Sequence, residues 1–126
     1  MPKVDVPIGD DVNVRPHPHV GLRFKHVHKK GSASANPTPN YPPHPTGKPF
    51  ASEVFEITTD AGFSEVVTVG IFFNGKGLTV GQKEKLKVYV YDPKLGSSWK
   101  ELPSSVDTKN DIAYGDTGPF SLFGVH

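Results

Sequence analysis

The chain has no cysteine, and this absence removes several kinds of chemistry at once. Without a thiol among its 126 residues, the protein has no disulfide, no thiolate metal site and no cysteine nucleophile. The lack of cysteine does not indicate a cellular compartment, because many secreted bacterial and archaeal domains also lack it. We treat residues 1–126 as one domain, since a chain of this length buries roughly two-thirds of its unfolded surface without crosslinks or metal.

Charge of one sign and long apolar runs are also missing. The 14 basic and 13 acidic residues leave a net charge of +1, so we expect no nucleic-acid partner. No apolar run approaches the roughly 20 residues of a membrane span, so we expect no membrane insertion. No signal peptide precedes Pro2, and an extracellular protein would therefore be a fragment or a processed form.

Helical periodicity is absent too, and apolar residues alternate instead. The alternation is clearest in two sets, with Val67, Val69, Ile71 and Phe73 in the first and Leu86, Val88 and Val90 in the second. Alternation with a period of two predicts strands that bury one face. Thirteen glycines and thirteen prolines suit the turns between such strands. The sequence predicts an all-β antiparallel β-sandwich, immunoglobulin-like or related, with eight or nine short strands.

Three local features refine this prediction. Residues 31–50 hold six prolines, and we expect a long Pro-rich loop there. Val27 breaks the parity set by Leu22 and Phe24, which predicts a bulge near Lys25 that returns Val27 to the core. One helical turn is expected at 78–83. The predicted core residues are Leu22, Phe24, Ile57, Val69, Ile71, Leu86, Val88, Trp99, Ile112 and Phe120.

The order of several short segments resembles a known kind of surface module. These segments are GLRF with a following valine, the Pro-rich loop, VFEITTDAGFSEVVTVGI, LKVYVYDP, a tryptophan, SSVDT and FSLFGV. From Val12 to Val125 they resemble a β-sandwich module that recurs near the C-terminal ends of large bacterial and archaeal cell-surface proteins. The last third is similar to the domain that precedes archaeal surface-protein anchors. The resemblance implies an extracellular, non-enzymatic module.

The resemblance also implies one contact. Relatives often carry cysteines at the positions of Gly70 and Tyr114. A glycine facing a large aromatic residue conserves volume across neighbouring strands. We therefore expect the Tyr114 ring to lie over the Gly70 backbone.

Two H-x-H pairs, His17/His19 and His26/His28, are candidate metal ligands. Residues two apart share a face of an extended chain, and paired imidazoles bind zinc, copper or nickel. No carboxylate lies at ligand spacing in the sequence, and the lysines around the second pair oppose cation binding. Exposed histidines without a metal are therefore the competing interpretation. His44 and His126 stand alone in the sequence.

A second candidate site is aromatic. Tyr89 and Tyr91 share one face of their strand, and with Trp99 they could form a flat platform for sugar rings. The competing interpretation is that the Pro-rich loop covers this face. A basic run from Arg23 to Lys30 could attract an acidic polysaccharide, although such a run is more often a solvated face.

Nothing in the sequence has the setting of a catalytic site. Ser121 lacks the Gly-x-Ser-x-Gly context of a nucleophile, and the segment 107–111 is better explained by turn chemistry than by calcium. We expect no enzymatic activity and no cofactor. The expected role is a structural, spacer or interaction module of a surface protein. Its partners would be neighbouring domains, like modules or a polysaccharide.

Overall fold

A computed structural model describes residues 3–91, 99–118 and 122–126. It contains two antiparallel sheets and one short helix. The elements are β1 (Val4–Val6), β2 (Gly9–His17), β3 (Val20–Lys29), β4 (Gly31–Pro37), β5 (Phe55–Thr59), β6 (Gly62–Phe72), α1 (Val80–Glu84), β7 (Val88–Tyr91), β8 (Lys100–Glu101), β9 (Ser104–Asp107), β10 (Ile112–Thr117) and β11 (Leu122–Val125).

The two sheets confirm the predicted all-β class. One has six strands in the order β1-β4-β5-β11-β7-β8, and the other has five in the order β2-β3-β6-β10-β9. All neighbouring strands are antiparallel. The described residues form eleven strands rather than the predicted eight or nine. The difference comes from strands as short as the two residues of β8, too brief to show an alternating pattern.

The core lies between the sheets and draws on both of them. The predicted core residues Leu22, Phe24, Ile57, Val69, Ile71 and Val88 are buried, together with the other members of the Val67 set. Period-two burial therefore holds where the sequence predicted it most clearly. Burial of this apolar surface is the main source of stability available to a chain without crosslinks.

Three of the predicted core residues lie elsewhere. Leu86 is only half-buried against the core. Ile112 is half-buried on the outward parity of β10, because its neighbour Ala113 takes the inward position. Trp99 is buried but packs outside the core. Phe120, like Ser121 and the turn predicted at 92–96, lies outside the described residues.

The prediction of a loop over residues 31–50 is wrong in its first third. Gly31–Pro37 is strand β4, which pairs with both β1 and β5. Small residues occupy its inward positions, with Ala33 and Ala35 fully buried, and this hid its alternation. The irregular segment runs from 38 to 54, and we call it the long loop. The helical turn predicted at 78–83 is α1, whose capping box joins Thr79 and Gln82.

The predicted irregularity in β3 is present, and Val27 is fully buried. Phe24 pairs with Val67 and His26 pairs with Ser64. Three residue steps of β6 therefore face two of β3, so the extra residue of this bulge belongs to β6. A second shift follows, where Val27 pairs with Phe63 and Lys29 pairs with Gly62, and its extra residue belongs to β3. Sequence parity located the first irregularity correctly, but on β3 rather than on β6.

Candidate functional site

The long loop packs against the outer face of the six-stranded sheet. Trp99 donates its indole N–H to the carbonyl oxygen of Pro42 at 2.8 Å. The Phe50 ring lies 4.7 Å from the Trp99 ring, centre to centre. Phe50 also covers Gly124, where an added Cβ would lie 2.7 Å from the Phe50 ring. Gly124 is therefore the notch that accepts the loop.

The three predicted sugar-platform residues meet beneath this loop. Trp99 is only 6% exposed, and its ring contacts Tyr91 at 5.5 Å. The Tyr89 hydroxyl donates to Glu101 at 3.3 Å, and burial, followed by the nearby Glu101 charge, raises the Tyr89 pKa. Loop residues contact Trp99 through Pro42 and Phe50, and they contact Tyr89 through His44. Tyr91 is half-buried beside Trp99.

The loop also brings together two histidines that the sequence left isolated. The rings of His44 and His126 stack 3.6 Å apart with an interplanar angle of 4°. The Thr46 hydroxyl lies 2.9 Å from His44 Nδ1 and 3.2 Å from His126 Nε2. His44 is 7% exposed, and its buried Nε2 has no hydrogen-bond partner among the described residues. Burial lowers the pKa of both imidazoles.

The first H-x-H pair has hydrogen bonds that conflict with metal binding. The His19 amide donates to Nδ1 of His17 at 3.0 Å, so the neutral His17 ring carries its proton on Nε2. That arrangement leaves neither His17 nitrogen free to bind a metal. The fold supplies a carboxylate that the sequence spacing did not reveal, because Glu53 lies 3.2 Å from His19. Burial lowers the His17 pKa.

The second H-x-H pair lies on the surface, as the bulge predicted. His28 is exposed and His26 half-buried, with their ring centres 6.4 Å apart. Asp10 on β2 lies 2.7 Å from Nδ1 of His26. Among the described residues, no group of three acidic or histidine side chains has a geometry that could hold a metal ion.

A groove of about 920 Å³ lies on the outer face of the five-stranded sheet, and the sequence analysis missed it. Its floor is the glycine pair Gly21 and Gly70, which face each other on β3 and β6. Tyr114 and Arg15 stand on either side of this pair. We call this groove the trough.

The trough exists because two neighbouring strands lack side chains at the same level. An added Cβ on Gly21 would meet nothing within 4 Å. Tyr114 pairs with Gly70, and its ring would lie 2.9 Å from a Cβ on Gly70. The predicted placement of Tyr114 over Gly70 is confirmed. The ring is 36% exposed, so one part covers Gly70 and the rest borders the trough.

A row of polar side chains crosses the sheet beside the trough floor. Asn13 pairs with Arg23, Arg23 with Thr68, and Thr68 with Asp116. The Thr68 hydroxyl donates to Asp116 at 2.8 Å. The row is positive on the β3 side and negative on the β10 side. The alternation within each strand could have shown that these residues point outward. Their alignment in one row depends on the order of the strands in the sheet.

No family model, curated protein or solved structure matches the chain. In the described part of the chain, no helix is long and apolar enough to cross a membrane.

Proposed function

We propose that the protein is a non-enzymatic interaction module of an extracellular surface protein. In this proposal the sandwich is a rigid support, and the outer face of the five-stranded sheet meets the partner. The observation that supports it is the contrast between the two outer faces. The long loop covers the aromatic residues of one sheet, whereas the other sheet carries the trough.

The experiment is binding of the purified chain to cell envelopes isolated from its source. We expect the wild-type chain to co-sediment with the envelopes and Gly21→Val to remain in solution. Valine at this position would place a branched side chain on the trough floor, where an added Cβ meets no described atom within 4 Å.

The matched control is Val66→Thr, a change on β6 at a side chain that is 45% exposed and does not line the trough. It should bind like the wild type. The proposal fails if the wild-type chain does not bind, or if both variants bind equally well.

A further inference from the structure

We infer that the trough binds a glycan chain that carries carboxylate groups. This inference rests on the proposed function of the same sheet face, and it adds the chemical class of the ligand. Three properties of the described residues lead to it: a glycine floor beside an exposed tyrosine, a positive wall, and a polar wall on the other side.

The first property is the shape of the floor. Gly21 and Gly70 lie side by side, and no atom lies within 4 Å of a Cβ added to Gly21. A ligand can therefore approach the backbone of the sheet at this level. The exposed part of the Tyr114 ring borders the same space. Sugar rings pack against aromatic faces through their C–H groups, so a saccharide fits between a tyrosine and a glycine floor.

The second property is the positive wall. Arg15 and Arg23 both line the trough. Arg15 donates to the Pro18 carbonyl oxygen, and Arg23 forms a solvent-exposed ion pair with Asp11, each at 3.1 Å. A guanidinium has five N–H donors in a planar fork, and each of these contacts uses one. Such a fork recognises a carboxylate through paired hydrogen bonds.

The third property is the polar wall on the other side. Asp116 and Thr68 are joined by a hydrogen bond, and their oxygens can accept from ligand hydroxyls. A ligand with a carboxylate on one edge and hydroxyls on the other complements both walls. A uronic-acid residue in a polysaccharide has this arrangement, and a peptide chain lacks the repeated hydroxyls.

The test is a titration of the ¹⁵N-labelled chain with a galacturonic-acid oligosaccharide, followed by two-dimensional NMR. We expect amide shifts clustered at Gly21, Thr68, Gly70 and Tyr114. An oligosaccharide of neutral galactose serves as the matched ligand and should bind far more weakly. Gly21→Val should abolish the shifts.

Charge-matched variants separate specific recognition from general attraction. Arg23→Gln should weaken binding about tenfold, the loss expected for one charge-assisted contact. Lys25→Gln removes the same charge two residues away, from an exposed lysine that pairs with Glu65 at 3.8 Å and does not line the trough. It should bind like the wild type. Thermal melts of each variant establish that it is folded.

The outcomes are distinct from those of the envelope experiment. The inference is overturned if no shifts appear or if they map away from the trough. It is also overturned if the neutral oligosaccharide binds equally well, or if both charge variants lose the same affinity. If envelope binding depends on Gly21 but the oligosaccharide causes no shifts, the interaction module is supported and the acidic glycan is rejected. A protein found to bind at the trough would lead to the same two conclusions.

Discussion

At the scale of single residues, the stability of the fold depends on a stacked pair of imidazoles and on glycines within strands. His44 of the long loop stacks directly on His126, with Phe50 and Tyr89 edge-on to His44. The charged groups nearby are Lys48 beside His126 and Glu101 at the end of Tyr89. Because a proton on His44 would place a cation against a second imidazole, the folded state prefers both rings neutral.

The first prediction is a loss of stability in mild acid. Burial lowers the pKa of His44 and of His126 below 6.5 in the folded chain, so the unfolded chain binds more protons as the pH falls. The stability that the neutral pair contributes is fully present above pH 6.5. It declines as the pH falls below 6.5 and through the lowered pKa values of the folded chain. Melting curves at several pH values should show this decline.

His44→Phe tests the source of that decline. Phenylalanine keeps an aromatic ring in the cluster but does not titrate, so the melting temperature should fall less in acid. His28→Gln, at an exposed histidine, should retain the wild-type decline. An equal decline in His44→Phe and the wild type would contradict the assignment.

The second prediction compares two strand glycines. A Cβ on Gly115 would lie 2.7 Å from the Cβ of Val88, which is fully buried on the opposite sheet. Gly115→Ala should therefore lower the free energy of unfolding by about 1–3 kcal/mol through overpacking. Gly21→Ala meets no atom and should be neutral or slightly stabilising. Denaturant melts measure both, and equal losses would contradict the described packing of the sheets.

At the scale of elements, the long loop behaves as a cover that a few contacts hold in place. Phe50 fills the notch at Gly124, and Trp99 holds the Pro42 carbonyl. A backbone hydrogen bond from Ala51 to Val125 joins the loop to the sheet, and one from Thr38 to Val54 connects the two ends of the loop. Ring packing and backbone hydrogen bonding together thus hold the loop against the aromatic residues.

The third prediction concerns removal of Phe50. Phe50→Ala should cost about 2 kcal/mol, because a half-buried ring is lost and a cavity remains. The emission of Trp99, the single tryptophan, should shift to longer wavelength as water reaches it. Phe72→Ala makes the same change at a ring that is 45% exposed on the other sheet, and its emission should stay unchanged. Unchanged emission in Phe50→Ala would show that the ring does not hold the cover.

Sequence patterns predicted the parts of the fold that depend on one strand at a time. The Val67 set shows on its own strand, because burial alternates within a strand. The broken parity at Val27 indicated the position of the bulge, although its extra residue lies on β6. Strand β4 stayed hidden, since alanine and serine give little hydropathy contrast. The trough also stayed hidden, because Gly21 and Gly70 lie far apart in the chain and meet only through the strand order.

At the scale of the whole molecule, the two outer faces differ in what covers them. We assign binding to the five-stranded sheet because the long loop packs on Trp99 and Tyr89 of the other sheet. The difference between the faces can be measured without knowing the ligand.

The most direct measurement is broadening of side-chain NMR signals by a soluble gadolinium chelate, which reports exposure at each ring. We predict strong broadening for the ring of Tyr114, a residue that is 36% exposed, and little for the indole of Trp99, a residue that is 6% exposed. The opposite result, a broadened Trp99 and a protected Tyr114, would mean that the loop leaves its sheet open, and it would contradict the assignment of the binding face.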